Sequence, residues 1–261
     1  MLNPTTECRL LAQPSIEYQT DAMNTILIVI SAVAVLWIIE TVTPNNRLPV
    51  VKGWYGRCAL LNGVQALIAW LGAITWDSWF SNWHMVSLSH LPTAHQVLLG
   101  YLLITFIYSW WHRARHAVPL LWRGLHQTHH SASRLEVITS FYKHPAEVLI
   151  NGLLSSAILY LLLGLTPTAA ALTVLITGLA ELFYHMNLRT PHWLGYVFQR
   201  PEMHRIHHQR GVHRSNYSDL PIWDMLFGTF SNPRRIDVQV GFPHAGERRL
   251  GALLRGRRIE S

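Results

Sequence analysis

Three short histidine cassettes carry the reactive side chains of this sequence. His112 and His116 form an HxxxH pair, His126, His129 and His130 form HxxHH, and His204, His207 and His208 repeat that second spacing. Each cassette lies at the edge of a long apolar stretch. A helix puts positions i, i+3 and i+4 on one face, so each cassette is expected to point two or three imidazoles the same way. Eight convergent imidazoles exceed the needs of one metal ion and suit a pair. Imidazole nitrogen suits iron, copper, zinc and nickel alike. His185, four residues after Glu181, is a further candidate ligand. His144 is a candidate for either a ligand or a hydrogen-bonding support. A lone histidine is most often an ordinary surface or core residue, and that reading suits His84, His90, His95, His192 and His244. Ligating imidazoles usually give their second N–H to a carboxylate or carbonyl. Glu136, Glu147, Glu181, Asp219 and Asp224 stand near the cassettes in sequence, with Asp224 and Glu181 the first candidates for that role.

The elements that must position these rings are membrane helices. Half of the residues are hydrophobic and only 13% are charged, against about 25% charged in soluble domains. Five apolar stretches approach the roughly 20 residues needed to cross a bilayer: Met23–Val42, Cys58–Thr75, Gln96–Trp111, Val148–Leu165 and Thr168–Tyr184. The third carries Tyr101, Thr105, Tyr108 and Ser109, so one side is expected to face the protein interior. Gly164-Leu165-Thr166-Pro167 reads as a tight break between the last two. Lys and Arg are sparse before residue 23, absent from 76–95 and 164–167, and abundant in 43–57, 112–147 and after 184. The positive-inside rule then gives an outside N-terminus, five crossings and a cytoplasmic C-terminus, with all three cassettes on the cytoplasmic side. Four crossings remain if the first stretch lies on the surface.

The fold class expected is therefore all-α: a helical integral membrane protein with four or five transmembrane helices and a cytoplasmic histidine-rich cap. The expected organisation is a polar segment over 1–22, the first two spans over 23–97, a catalytic domain over 98–231 and a basic tail over 232–261. Pro191–Phe198 and Pro221–Phe230, rich in Trp, Tyr, Phe and Leu, read as interfacial helices. The Arg-rich tail reads as solvated or lipid-facing, and its removal after Pro233 is expected to preserve the chemistry. The acidic first 22 residues do not resemble a signal peptide. Two cysteines, Cys8 and Cys58, form no CxxC, which argues against a disulfide framework or an iron–sulfur cluster. The net charge of +7 fits topology and anionic lipid better than nucleic acid, for which the sequence holds no motif.

In order and spacing, these motifs resemble the fatty acid hydroxylase/sterol desaturase superfamily of membrane di-iron oxygenases, in its bacterial form. The match runs through WWHRARH (His112, His116), LWRGLHQTHHS (His126, His129, His130), KHPAE (143–147), YHMN (His185, Asn187), MHRIHHQ (His204, His207, His208) and NYSDLPIWDMLFGTF (216–230). It covers about residues 98–231. Thr105 stands where members often have Asp, Tyr142 where Arg is common, and Ser218 where Gly is usual. The resemblance implies two iron ions held by the three cassettes and His185, with His144, Glu181, Asn187 and Asp224 as further ligands or supports and no catalytic residue beyond the metal centre. It implies O2, a lipid- or sterol-like substrate, and hydroxylation or desaturation at the bacterial inner membrane. The sequence has no GxGxxG turn and no haem attachment motif, so electrons are expected from a separate ferredoxin, cytochrome or reductase. Three other readings compete. A zinc membrane hydrolase needs a carboxylate base beside the metal, which the HRARH motif does not offer. A bis-histidine haem protein needs histidines inside the spans. A non-catalytic metal carrier would give no O2-dependent product.

Overall fold

The computed structural model describes residues 16–259 other than residue 213, with side chains from Leu27 onward apart from residues 29 and 245. The first fifteen residues, with Cys8, lie outside the described residues. The long helices are α1 (Ile16–Val42), α2 (Trp54–Ile74), α4 (Thr93–Ala117), α7 (Pro145–Ser156) and α8 (Pro167–His185). Short α3 (Trp76–Phe80) follows α2. After α4, α5 (Pro119–Leu121) runs through a π-helical turn (Trp122–His126) into α6 (Gln127–His130). A second π-helical stretch, Ala157–Leu162, prolongs α7. The C-terminal third adds α9 (Pro201–His207), α10 (Pro221–Leu226) and α11 (Leu250–Leu253). No strand is formed among the described residues beyond an isolated bridge between Gln209 and Val240, so the chain is all-α as expected.

Three helical stretches are long and apolar enough to cross a membrane: Trp54–Phe80, Pro145–Leu162 and Pro167–His185. Only 17%, 33% and 22% of their apolar windows are buried within the protein, so most of this apolar surface faces outward, as it must in lipid. The described apolar part of α1, Ile30–Val42, is shorter than a span. α4 has 25 residues but is less apolar, because Gln96, Thr105, Ser109 and His112 are turned into the interior. By length and composition, three of the five expected spans qualify among the described residues, and the first, Met23–Val42, begins outside the described side chains.

Local chemistry sets the helix ends. Pro occupies the first turn of α7, α8, α9 and α10, where its missing N–H costs nothing. Gly164 adopts φ +55, and a Cβ there would meet the Val86 carbonyl at 2.4 Å; only glycine fits this turn. The Gln96 side chain of α4 accepts from Thr166 N at 2.9 Å, tying the turn to α4. α4 and α8 pack against one another through small side chains, Gly100 beside Thr173, as membrane helices commonly do.

α1 is fastened to the cap by one carboxylate. Glu40 is buried and accepts from Val137 N at 3.1 and 3.0 Å and from Asn187 N at 3.0 Å. Asn187 Oδ1 in turn accepts from Asn46 N at 3.0 Å.

The segment after Asn232 requires a correction. It is not a solvated tail along its length: Val240, Phe242, Leu253 and Ile259 are all buried. Phe242, Leu253 and Ile259 form a small core with Trp122. The Arg side chains dominate the composition, but the apolar residues spaced between them anchor the segment to the cap.

Replacing Glu40 by Leu leaves two buried backbone N–H groups without their acceptor. The expected loss is about 1–3 kcal/mol per unsatisfied group, read as a lowered midpoint in thermal unfolding of the detergent-solubilised protein. A midpoint equal to that of the unmodified protein would refute the fastening role.

Candidate metal centre

The three cassettes and His185 meet at one end of the helices, where nine histidines form two adjacent groups. His112, His116, His126, His130 and His207 make one, and His129, His185, His204 and His208 the other; within each group the ligand atoms lie within 4.8 Å of one another. Both groups consist of histidine alone among the described residues. The chain builds them from four directions. α4 carries His112 and His116 past its apolar part. The π-helical turn delivers His126, a distortion frequent at functional sites. α6 carries His129 and His130. The last turn of α8 carries His185, and α9 with its end carries His204, His207 and His208.

The expectation that each HxxHH cassette points its rings one way holds only in part. The i,i+4 pair stays together, and the i+3 ring crosses to the other group. His126 and His130 share the first group while His129 joins the second; His204 and His208 share the second while His207 joins the first. The His130 and His208 rings stack between the groups, with centroids 4.1 Å apart and planes at 13°.

Hydrogen bonds fix which nitrogen faces inward. His112 Nδ1 donates to the Tyr217 carbonyl at 2.9 Å, His185 Nδ1 to the Glu181 carbonyl at 2.7 Å and His207 Nδ1 to the Ser215 carbonyl at 2.7 Å. His126 Nδ1 donates to the Glu147 carboxylate at 2.9 Å. A neutral imidazole that donates through Nδ1 can only accept through Nε2. Yet His112 Nε2 and His126 Nε2 face each other at 3.0 Å. In the other group His204 Nδ1 accepts from Gln199 Nε2 at 3.3 Å, so its Nε2–H can donate to His185 Nε2 at 3.0 Å, and His129 Nε2 lies 3.1 Å from His185 Nε2. Where two lone pairs point at one another, as at His112 and His126, they repel, and a cation between them removes the repulsion. At His112, His126, His185 and His207 the donor set therefore fits metal ions bound by Nε2 with Nδ1–H held by an outer partner, the usual arrangement for ligating histidine.

Burial keeps these rings neutral. His126, His129 and His204 are pushed well below the ordinary histidine range by desolvation first. The next contributions are the Arg115 charge for His126, His208 for His129 and His185 for His204. Neutral imidazole is the form that binds a metal.

The supporting residues differ from the first candidates. Glu147, fully buried, takes His126 and is itself held by Arg115. Its place on the first turn of a proline-initiated helix was the available signal. Asp224 serves its own loop: it accepts from Tyr217 N at 2.9 Å, Ser218 N at 3.0 Å and Thr229 Oγ1 at 2.6 Å. It thus reaches His112 only through the Tyr217 carbonyl. The Glu181 side chain pairs with Lys143, and its backbone carbonyl holds His185. Asn187 bonds to Glu40 and Asn46, away from the imidazoles. His144 stands outside both groups: its Nδ1 caps α7 by accepting from Ala146 N at 3.0 Å, and its Nε2 donates to the Leu254 carbonyl at 3.2 Å. Glu136 is engaged with Arg134 and with Trp54 Nε1.

A cavity of about 520 Å³ ends on these rings. Ile30, Val33, Ala66, Ala69, Val174 and Leu175 line its apolar part. Arg115, Lys143, Glu181, Tyr184 and Asp219 line it together with His112, His126, His129, His185 and His204. Burial, then the Glu181 charge, raises the Asp219 carboxyl to about 7, so this group can hold a proton near neutral pH. The lining is mostly apolar and includes five of the nine histidines.

The histidine shifts predict a pH dependence. Unfolded histidine takes up a proton near pH 6.5, whereas the folded metal-free chain resists protonation. Below that pH the unfolded chain binds more protons, so stability rises with pH there. Thermal unfolding of metal-free protein is expected to show full stability above about pH 6.5 and a steep loss below it, reflecting more than one proton. A midpoint that stays flat from pH 7 to about pH 5 would contradict neutral burial of the rings.

Known proteins share this region. The profile of the fatty acid hydroxylase family matches residues 97–229, just over half of the chain. The ornithine lipid hydroxylase OlsE of Rhizobium tropici is 36% identical over 55% of this chain and 44% of its own length. Human alkylglycerol monooxygenase is 30% identical over 60% of this chain and 36% of its own. A rice very-long-chain aldehyde decarbonylase, GL1-9, is 31% identical over 52% of this chain and 54% of its own. The chain thus spans less than half the length of the first two relatives. No solved structure matches it. With the three histidine motifs inside the matched region, the chain belongs to the fatty acid hydroxylase family.

Proposed function

We propose that this chain is a membrane-embedded, O2-dependent di-iron oxygenase that hydroxylates, or desaturates, a lipid- or sterol-like amphiphile. The observation that carries the reading is two adjacent all-histidine groups, five of whose rings line a mostly apolar cavity. In this reading His112, His116, His126, His130 and His207 hold one iron ion, and His129, His185, His204 and His208 the other. Glu147, the Glu181 carbonyl and, through the Tyr217 loop, Asp224 support the cage without ligating, while Asn187 and His144 hold the surrounding helices. When bound, iron with O2, two protons and two electrons from a separate ferredoxin, cytochrome or reductase would supply the power to turn C–H into C–OH, the second oxygen atom leaving as water.

The chain's own residues bind and orient. The apolar walls take the hydrocarbon and exclude water. Arg115, Lys143, Glu181, Tyr184 and Asp219 take the polar end, which places a carbon near that end beside the histidines. Asp219 can give or accept a proton at its carboxylate. Residues 98–231 form the catalytic unit. The cassettes lie on the cytoplasmic side of a bacterial inner membrane, under a topology of five crossings, or four. The turn His192–Tyr196 and α10 rest at the interface, where Trp193, Tyr196, Ile222 and Leu226 are exposed.

A zinc hydrolase is disfavoured by the family to which the chain belongs and by relatives named as a lipid hydroxylase and a monooxygenase.

Metal analysis and Mössbauer spectroscopy on anaerobically purified, iron-57-grown protein test the reading. About two irons per chain, with ferrous signals that change on exposure to O2, are expected. Zinc in the same amount, or iron indifferent to O2, would overturn it. His129→Ala and His207→Ala, one from each group, are expected to lower iron content and abolish O2-dependent product while leaving membrane insertion intact. Full iron content in both variants would remove these residues from the ligand set.

A further inference from the structure

The C-terminal segment closes over the histidine cage from outside the region shared with the family, which ends at residue 229. We propose that residues 239–259 act as a strap that positions the five-histidine group and ties the second and third cassettes together. Its assignment to metal positioning rests on the metal-centre reading above; its packing role does not.

Three sets of contacts carry the inference. The first is a ring relay. Phe242, Leu253 and Ile259 bury Trp122, whose ring lies 5.0 Å from His116 and 5.2 Å from His130. Both of those rings belong to the five-histidine group. The second set fixes the backbone that carries the second cassette. Phe242 N donates to the Ser131 carbonyl at 3.2 Å, and Gln127 Nε2 donates to the Arg257 carbonyl at 3.0 Å. Ser133 Oγ donates to Glu247 Oε1 at 2.8 Å. Tyr142, where the family pattern commonly has Arg, donates to the Glu247 carbonyl at 3.3 Å. The third set reaches past the third cassette. Arg210 N donates to the Gln239 carbonyl at 2.8 Å, and Arg210 Nε to the Gly241 carbonyl at 2.9 Å.

Gly241 is the point of closest approach. Its φ is +76, and a Cβ there would lie 2.5 Å from Ser133 Cα and N. No side chain fits without moving the strap away from the second cassette. The strap thus grips residues directly after His130 and directly after His208 with one continuous segment. It touches the five-histidine group through Trp122, whereas His185 is held from α8 by the Glu181 carbonyl. The ring relay reaches His116, His126 and His130, all of the five-histidine group, so loss of the strap's apolar packing on Trp122 should loosen that group first.

Two measurements on the full-length, detergent-solubilised chain test this with Leu253→Asp and Gly241→Val, and with Leu253→Met as the conservative partner. The first is diethyl pyrocarbonate labelling of metal-free protein, mapped by mass spectrometry, which does not depend on any metal or activity. In the unmodified chain and in Leu253→Met, all nine cage histidines are expected to resist labelling. In Leu253→Asp and Gly241→Val, His116, His126 and His130 are expected to become reactive while His185 and His204 stay protected. The second is titration with Co²⁺, followed by its visible absorption. The strap variants are expected to weaken one of two sites by about 10–100-fold, the effect of disturbing outer-shell support, and to spare the other. Labelling unchanged from the unmodified chain would overturn the strap's role, as would simultaneous exposure of both groups, which marks general unfolding. An unmodified chain that takes up no Co²⁺ would count against the metal-centre reading alone, because the labelling result decides the strap independently.

Discussion

Buried imidazole nitrogens that face one another without a proton between them are the constraint on which this architecture turns. His112 and His126 each spend Nδ1–H on an outer acceptor and bring Nε2 to within 3.0 Å of the other. Protonating either ring would relieve the contact in water, but burial depresses the basicity of His126. The repulsion is tolerable only while the surrounding helices hold the rings, or when a cation sits between them. Folding of the cap and metal binding are then linked equilibria, since an unfolded chain offers no preformed site. The outer acceptors become structural necessities. The carbonyls of Ser215 and Tyr217 must be presented by a loop, and Asp224 exists to hold that loop by taking the N–H groups of Tyr217 and Ser218.

The division of each HxxHH cassette between the two groups follows from helix geometry. Adjacent positions on a helix are turned by roughly 100° from one another, so the i+3 and i+4 rings of an HxxHH cassette diverge although both lie within reach of i. In a short helix wedged between two groups, the i,i+4 pair serves one and the i+3 ring the other. A rigid shift of either cassette would move rings of both groups, whereas a change confined to the Trp122 packing bears on the five-histidine group. An HxxxH pair, as in His112 and His116, has no such third ring and contributes to one group alone. The added i+3 histidine is thus the sequence mark of a shared double site, and it explains why two cassettes carry it and one does not.

The histidines were legible in the sequence because spacing reports helix faces, and helix faces are local. All nine expected ligands come together, and three of the expected spans form helices of the required length among the described residues. What spacing could not show was which carboxylate turns toward the rings. Asp224 is close to the third cassette in sequence but faces its own loop. Glu147, seventeen residues from His130, is carried back to His126 by α7. His144 sits beside a proline at a helix start and is used as the cap of that helix. The C-terminal segment was misread for a related reason. Its arginines dominate any average over the segment, whereas its attachment depends on a few spaced apolar residues that an average erases.

The same blindness affects the helix that matters most. Hydropathy ranks α4 below the qualifying spans, although α4 carries the first cassette and packs along α8. The polar residues that lower its score point inward. Thr105, where family members often have Asp, donates to the Tyr101 carbonyl and accepts from Trp223 Nε1 at 3.0 Å. Ser218, where glycine is usual, donates to the Thr105 carbonyl at 3.3 Å. The two departures therefore touch, so the contact between α4 and the loop above it is made here by hydroxyl groups and an indole. In a membrane enzyme the outward face must be apolar and the inward face must hold the chemistry. Hydropathy along a helix then falls as its catalytic content rises, and the least apolar of the long helices is the one to examine first for a site.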